Sequence, residues 1–198
     1  MPKRPTCQQC ERPLKTCLCD VMVQLNCEYH LVILQDPKEA KHALSSAPLL
    51  AKSIKQSTLV VGEVFDPLVL LGEGWQNNSL LIFPNDNSLS QQQVHEHQIK
   101  YLILLDGTWR KVARMMHLNP WLSTLPCFAI DSANASQYLI RKSPRVDGLS
   151  TIEAAVMVLN NLQPEKEFSP ILAAFHKMID FQIQAMGSAT FERNYPKD

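Results

Sequence analysis

Apolar residues in this chain come in short unbroken runs separated by polar, turn-forming segments. YHLVILQ at 29–35, TLVVGEV at 58–64, SLLIFPND at 79–86, YLILLD at 101–106 and PCFAID at 126–131 are too short for helices and rich in Val, Ile, Leu and Phe. Each is predicted as a buried strand. Gly62 falls at or near the end of the second, Pro84 stops the third, and DPLVLLGEG at 66–74 fits either strand or turn. The segments between them read differently. DPKEAKHALSSAPLLAKSI at 36–54 is predicted as a helical segment broken near Pro48, with Asp36 as its cap, Pro37 in the first turn and Glu39 three residues beyond the cap. NSLSQQQVHEHQ reads as a polar connection holding a short surface helix. A further helix runs from Thr108 to about His117 and ends before Asn119-Pro120. From Ser150 to Leu162, and again from about Glu165 to Ala185, apolar residues recur at helical spacing, and Gly187 marks the exit.

Continuous apolar strands alternating with helices predict an α/β fold, a mostly parallel sheet flanked by helices. In such sheets ligands bind beyond the carboxyl ends of the strands. Gly62, Pro84 and Asp106 all lie at those ends. With 198 residues there is room for one domain of ordinary size and a small appendage. A linker at about Asp20–Asn26 divides an N-terminal arm, residues 1–26, from a domain at 27–198.

The arm carries its own chemistry. Four of the six cysteines lie within CQQCERPLKTCLC, with Cys7 and Cys10 in a C-x2-C pair and Cys17 and Cys19 in a C-x-C pair. Four thiolates that close together can converge on a tetrahedral ion, and zinc is the default for an all-sulfur site. The competing reading, disulfides, needs an oxidising compartment to which nothing in the sequence points. The expected site is closed and structural, folding an arm that has almost no core of its own. Cys27 and Cys127 sit in or beside apolar runs and read as small buried hydrophobes.

Charge excludes a uniformly basic nucleic-acid binder, since 19 Lys and Arg balance 19 Asp and Glu. The balance is local, however. Between Asp106 and Thr151 stand six basic residues (Arg110, Lys111, Arg114, Arg141, Lys142, Arg145) against three acids, and the first sixteen positions hold Lys3, Arg4, Arg12 and Lys15 against Glu11. Segregated charge of this kind fits a basic face on a neutral molecule, and equally fits ordinary solvated side chains. No run reaches the roughly eighteen apolar residues of a membrane span. MPKRPTCQQC lacks the apolar stretch of a signal peptide, so the expected location is the cytoplasm.

Three constellations are candidates for chemistry. In LLDGTW, Gly107 permits a tight turn, Asp106 stands at its mouth, Thr108 can cap the following helix and Trp109 offers a flat ring face. Without context, a plain capping acid and a core tryptophan explain the same letters. In RKSPRVDGLSTIEAA, basic residues frame Pro144, and Gly148 leads into a helix capped by Ser150 or Thr151 with Glu153 in its first turn. Such a loop exposes backbone groups to a ligand, or is merely a loop with a cap. In QDPKEAKH, Glu39, Lys41 and His42 share a turn, read as a surface helix start rather than a metal or acid–base site; His95 and His97 read as solvated. No GxGxxG or P-loop is present, so neither a standard dinucleotide site nor an NTPase is supported.

Four elements in this order, C-x2-C…C-x-C, D-P-x-E, L-D-G-T-W and R-K-x-P…L-S-T-x-E-A, resemble the DTW-domain family over residues 7–155. That family is similar to the ribosomal-RNA aminocarboxypropyltransferases and related to the SPOUT methyltransferases, so the resemblance implies a SPOUT-like fold, knotted or not. It also implies a tRNA-uridine aminocarboxypropyltransferase, which moves the 3-amino-3-carboxypropyl group of S-adenosylmethionine to N3 of a uridine and leaves methylthioadenosine. On that resemblance the donor lies among Gly62, Phe83, Pro84, Leu105, Gly107, Thr108, Trp109, Leu149, Ser150 and Thr151. Asp106 is the first candidate for base or orienting carboxylate and Glu153 the second. Arg110, Lys111, Arg114, Arg141, Lys142 and Arg145, together with Lys3, Arg4, Arg12 and Lys15 on the arm, are expected to hold tRNA phosphates. No obligate protein partner is called for, and a monomer is expected.

Two positions depart from the family pattern. Asp36 stands where histidine often precedes the proline, and Ser46 where threonine is common. An RNA methyltransferase of the SPOUT class, with the methyl presented instead of the long arm, and a non-catalytic zinc-bearing RNA-binding module remain as alternatives.

Overall fold

The computed structural model describes residues 5–85, 88–129 and 149–186. Among them five strands form one sheet, β1 (His30–Gln35), β2 (Ser57–Val61), β3 (Ser79–Ile82), β4 (Tyr101–Asp106) and β5 (Cys127–Phe128), all parallel and in the order β2-β1-β4-β3-β5. Parallel pairing explains the unbroken apolar runs, because both faces of each central strand are covered. Alternate residues of β1 go to opposite faces, Leu31 and Ile33 into one core cluster and Val32 and Leu34 into the other.

The first cluster lies beneath α1 (Ala47–Ser53), α4 (Gln91–Glu96), α6 (Thr151–Leu162) and α7 (Leu172–Met186), which contribute Leu50, Val94, Leu159 and Phe175 among others. The second lies beneath α2 (Pro67–Leu71), α3 (Trp75–Asn78) and α5 (Trp109–Leu118), through Leu71, Trp75 and Met115. Each large side chain so buried contributes about 1.5–3 kcal/mol. The arm joins the same core: Leu18, between Cys17 and Cys19, is fully buried in the first cluster. None of the helices is long and apolar enough to cross a membrane, among the described residues.

Several elements differ from expectation. The segment after β1 is a series of turns stabilised by Asp36, whose Oδ1 accepts from Lys38 N–H at 2.8 Å, and the helix starts only at Ala47. Pro48 opens that helix instead of breaking it, since the first turn needs no donor from it. The ambiguous DPLVLL is helical, because Asp66 accepts from Leu68 N–H at 2.8 Å and Pro67 fits the first turn. The short helix α3 is built around the buried Trp75 and had no sequence signal. The predicted strands at 79–86 and 126–131 shorten to four and two residues, with positions 86, 130 and 131 outside the described residues.

Candidate active site at the carboxyl edge of the sheet

β1 and β4 lie side by side at the centre of the sheet, and the chain leaves them in opposite directions: β1 continues to β2 on one side, β4 towards β5 on the other. The helices that follow, α1 and α5, pack on opposite faces. This reversal of direction lies at the carboxyl ends of these two strands, the usual ligand position in an open α/β sheet.

The last register pair of those strands is Gln35 with Asp106. Asp36 N–H donates to the Asp106 carbonyl at 3.0 Å, and Gly62 N–H to the Gln35 carbonyl at 3.0 Å, which ties the three strand ends together. Asp106 is 8% exposed, and both of its carboxylate oxygens are engaged. Gln35 Nε2 donates to Oδ2 at 2.7 Å and to Ser45 Oγ, also at 2.7 Å. Thr151 Oγ1 donates to Oδ1. Bonds of this kind to a charged acceptor are each worth about 1.5–3 kcal/mol, so Asp106 fixes where α6 begins.

That helix starts on a capping box. Ser150 Oγ accepts from Glu153 N–H at 3.4 Å, while Glu153 Oε2 accepts from Ser150 N–H at 2.9 Å and from its hydroxyl. LDGTW and LST, 40 residues apart in sequence, thus meet at one carboxylate. Gly107 serves close packing here, for a Cβ at this position would lie 3.1 Å from the Lys111 Cβ. Thr108 occupies the cap position of α5, yet its hydroxyl makes no capping bond. Phe83, just past β3, meets Trp109 edge to face with ring centroids 6.3 Å apart. Trp109 remains 65% exposed, so the expectation of a free aromatic face holds and that of a core anchor does not.

Asp36 lies beside this network. Burial raises its carboxyl pKa, but the amides of Lys38 and Glu39 and the Lys111 ammonium bring it below the ordinary carboxylate value. Because the folded value is depressed, the stability Asp36 contributes is complete above its unfolded value of about 3.9 and is lost as pH falls through the lower folded value. Asp36→Asn should therefore flatten the acid side of a melting-temperature-versus-pH curve; an unchanged curve would exclude Asp36 from acid unfolding.

The basic candidates separate by partner. The Lys111 ammonium contacts Glu39 at 2.8 Å and Asp36 at 3.5 Å, and Arg114 contacts Glu63 at 3.1 Å. Arg12 Nη1 reaches the Met178 sulfur at 3.1 Å, while its Nε is buried without a partner among the described residues. Arg110 and Lys15 are exposed, and neither pairs with a carboxylate among the described residues. Lys3, Arg4, Arg141, Lys142 and Arg145 lie outside the described residues. His42, His95 and His97 are exposed, the first accepting through Nδ1 from Leu44 N–H at 3.3 Å.

In the arm, the Sγ atoms of Cys7, Cys10, Cys17 and Cys19 all lie within 4.8 Å of one another, with Cys7 to Cys19 at 3.5 Å and Cys10 to Cys17 at 3.7 Å. A tetrahedral ion with bonds of about 2.3 Å sets sulfurs about 3.8 Å apart, so the cluster fits zinc. No disulfide forms among them. The amides of Cys10 and Gln9 hold the Cys7 thiol down at about 6, whereas its hydrogen bond with Cys7 pushes Cys19 up to about 12. A cation bound here would take all four sulfurs as thiolates and so release their protons. Cys27 and Cys127 are buried, as expected of small hydrophobes.

Gln35 and Ser45 were not among the sequence candidates. The signal was present for Gln35, a polar residue closing an apolar strand that lands beside Asp106, but it becomes readable only once the strand order is known.

Comparison with known proteins points the same way. The DTW domain family matches residues 4–183. The chain is 28% identical over 194 residues to tRNA-uridine aminocarboxypropyltransferase 2 of Macaca fascicularis, covering 92% of this chain and 65% of that protein. It is 26% identical over 204 residues to the protein of the same name in Mus musculus, covering 98% and 68%. To tRNA-uridine aminocarboxypropyltransferase A of Arabidopsis thaliana it is 23% identical over 217 residues, covering 91% and 81%. The chain thus spans about two thirds of the length of the two mammalian relatives. No solved structure gives a significant match.

Proposed function

The chain belongs to the DTW domain family, and from that membership we propose that it transfers the 3-amino-3-carboxypropyl group of S-adenosylmethionine to N3 of a uridine in tRNA. The observation that carries this reading is the junction of LDGTW and LST on Asp106, at the strand ends where the sheet order reverses.

The donor substrate lies along the strand ends, against Gly62, Phe83, Pro84, Leu105, Gly107, Thr108, Leu149, Ser150 and Thr151, with the exposed Trp109 ring as a face for adenine. Asp106 spends both oxygens on Gln35 and Thr151. It therefore acts as a positioning residue, whose negative charge also favours the sulfonium. Glu153 keeps Oε1 free of any bond among the described residues and is the carboxylate suited to take the uridine N3 proton. The nitrogen lone pair then forms a bond to the arm carbon next to sulfur. The carbon–sulfur bond breaks with its electrons going to sulfur, leaving neutral methylthioadenosine. Zinc held by the four cysteines supplies structure alone.

The deciding experiment is incubation of purified protein with S-adenosylmethionine and unmodified tRNA, followed by mass spectrometry of nucleosides and of the small product. An aminocarboxypropyl adduct on uridine with methylthioadenosine is expected. A methylated base with S-adenosylhomocysteine would establish the methyltransferase reading, and neither product, with RNA binding intact, the binding-module reading.

Arg110, exposed on the first turn of α5, is a phosphate contact on this reading. Arg110→Gln should weaken tRNA binding at low salt and lower the slope of log affinity against log salt by about 1. Lys111→Gln should instead act mainly on stability, because Lys111 neutralises two carboxylates. An unaltered salt slope in Arg110→Gln removes that residue from the tRNA surface.

A further inference from the structure

A groove of about 370 Å³ runs between α6 and α7. One wall is Leu149, just before the cap of α6, with Glu153 and Met157, which lie one turn apart on that helix. The other wall is Ser169, whose hydroxyl accepts from Asn160 Nδ2 at 3.1 Å, with Leu172, Ala173 and His176 of α7. Leu149 is shared with the proposed donor crevice, so the groove opens beside the start of the LST turn. The volume suits a small-molecule subsite, and the lining follows the usual composition of such sites, mostly apolar with a few convergent polar groups.

The polar groups are specific. Glu153 Oε2 is held by the amide and hydroxyl of Ser150, which fixes the orientation of the carboxylate and leaves Oε1 as an acceptor. Neither ring nitrogen of His176 has a hydrogen-bond partner among the described residues. One wall thus offers an acceptor and the opposite wall an N–H donor. The Watson–Crick edge of uracil presents the complement: an N–H donor at N3 between two carbonyl acceptors. Cytosine presents a lone pair at N3, which would face the carboxylate unfavourably.

We propose that this groove receives the acceptor uracil base, flipped out of the tRNA. Leu149, Met157 and Leu172 cover its faces, Glu153 accepts the N3 proton and His176 donates to a ring carbonyl. Apolar side chains are suited to this task, because an unstacked base loses its neighbours and must recover contact with protein. Glu153 Oε1 then performs the deprotonation described above. The lone pair left at N3 lies in the ring plane on the Glu153 side, so the donor's arm carbon must reach it beside Glu153, from the Leu149 end that the groove shares with the donor site. The assignment rests on the uridine reading and adds the acceptor site and His176 to it.

The test uses purified full-length protein, S-adenosylmethionine and unmodified tRNA, with three variants. Met157→Trp fills the groove and should lower kcat/KM for tRNA by at least about tenfold. His176→Ala should raise KM for tRNA about tenfold, and His176→Gln, which keeps an N–H donor, should recover most of that loss. Affinity for S-adenosylmethionine, measured by calorimetry, should stay within about twofold of wild type in all three. As a measurement independent of any substitution, wild-type protein irradiated with tRNA carrying 4-thiouridine at the modified position should crosslink to α6 or α7. Transfer to uridine by wild type, with unchanged kcat/KM in Met157→Trp and in His176→Ala, overturns the groove assignment and leaves the reaction standing. So does a crosslink at Trp109, or loss of S-adenosylmethionine affinity matching the loss of rate, either of which would give the groove to the donor. A wild-type protein that transfers nothing to uridine overturns the reaction and the acceptor site with it.

Discussion

Asp106→Ala is expected to reduce transfer at least about 100-fold, because it unties the LST turn from the end of β4 and misplaces the groups that must meet the substrate. The same change strips Gln35 Nε2 and the Thr151 hydroxyl of their shared charged acceptor. At about 1.5–3 kcal/mol for each bond, the expected stability loss is about 3–6 kcal/mol, or roughly 10–20 °C in a chain of this size. tRNA affinity should change little, since phosphate contacts supply most of it and Asp106 is buried. Asp106→Asn separates geometry from charge. An amide can accept from Gln35 through its oxygen and donate to Thr151 through its nitrogen, so stability should remain within about 1 kcal/mol of wild type. On the proposed donor placement turnover should still fall at least about tenfold, because the negative charge that would face the sulfonium is gone. Wild-type turnover in Asp106→Asn would limit Asp106 to a structural tether, and wild-type turnover in Asp106→Ala would remove it from the reaction entirely.

The second large effect concerns the arm. Cys10→Ser replaces a thiolate by a hydroxyl that stays protonated at neutral pH and binds zinc poorly. Structural zinc contributes about 10–16 kcal/mol of apparent binding free energy in small cysteine sites, so losing a ligand should release the metal and unfold the arm. The consequence does not stop there. Leu18, between Cys17 and Cys19, is fully buried in the core that α1, α6 and α7 share, and Arg12 and Asp20 contact Met178 and Lys177 of α7. Withdrawing Leu18 resembles a large-to-small core substitution, at about 2–5 kcal/mol. The expected result is one zinc per chain in the native protein, none in Cys10→Ser, and a melting temperature lowered by about 10 °C both in the variant and after chelation. A chelated protein that melts at the native temperature would show that the sulfurs hold no metal that the fold depends on.

Legibility differed from element to element for physical reasons. β4 was predicted at Tyr101–Asp106 and found there, because a strand buried on both faces has an unbroken apolar run with a polar terminus. α6 was found one residue from its predicted start, since Ser150 and Glu153 write their capping box into the sequence. The turn series after Asp36 was misread as helix because Asp-Pro followed by Glu serves a helix start and an Asx turn equally well. α3 was invisible because it depends on Trp75 packing against Trp121, 46 residues away, with ring centroids 5.3 Å apart.

The same division runs through the site. Local order wrote the cysteine spacing, the apolar strands, the LDGTW turn and the LST cap into the chain, because each depends on neighbours within a few residues. What those letters could not state is which strands lie side by side. The order β2-β1-β4-β3-β5 brings Gln35 to Asp106 and Thr151 to the same carboxylate, and the packing of α7 on α6 brings His176 opposite Glu153. Those encounters join residues 71, 45 and 23 positions apart. They are decided by the burial of two apolar sheet faces as a whole, which no short stretch of sequence contains.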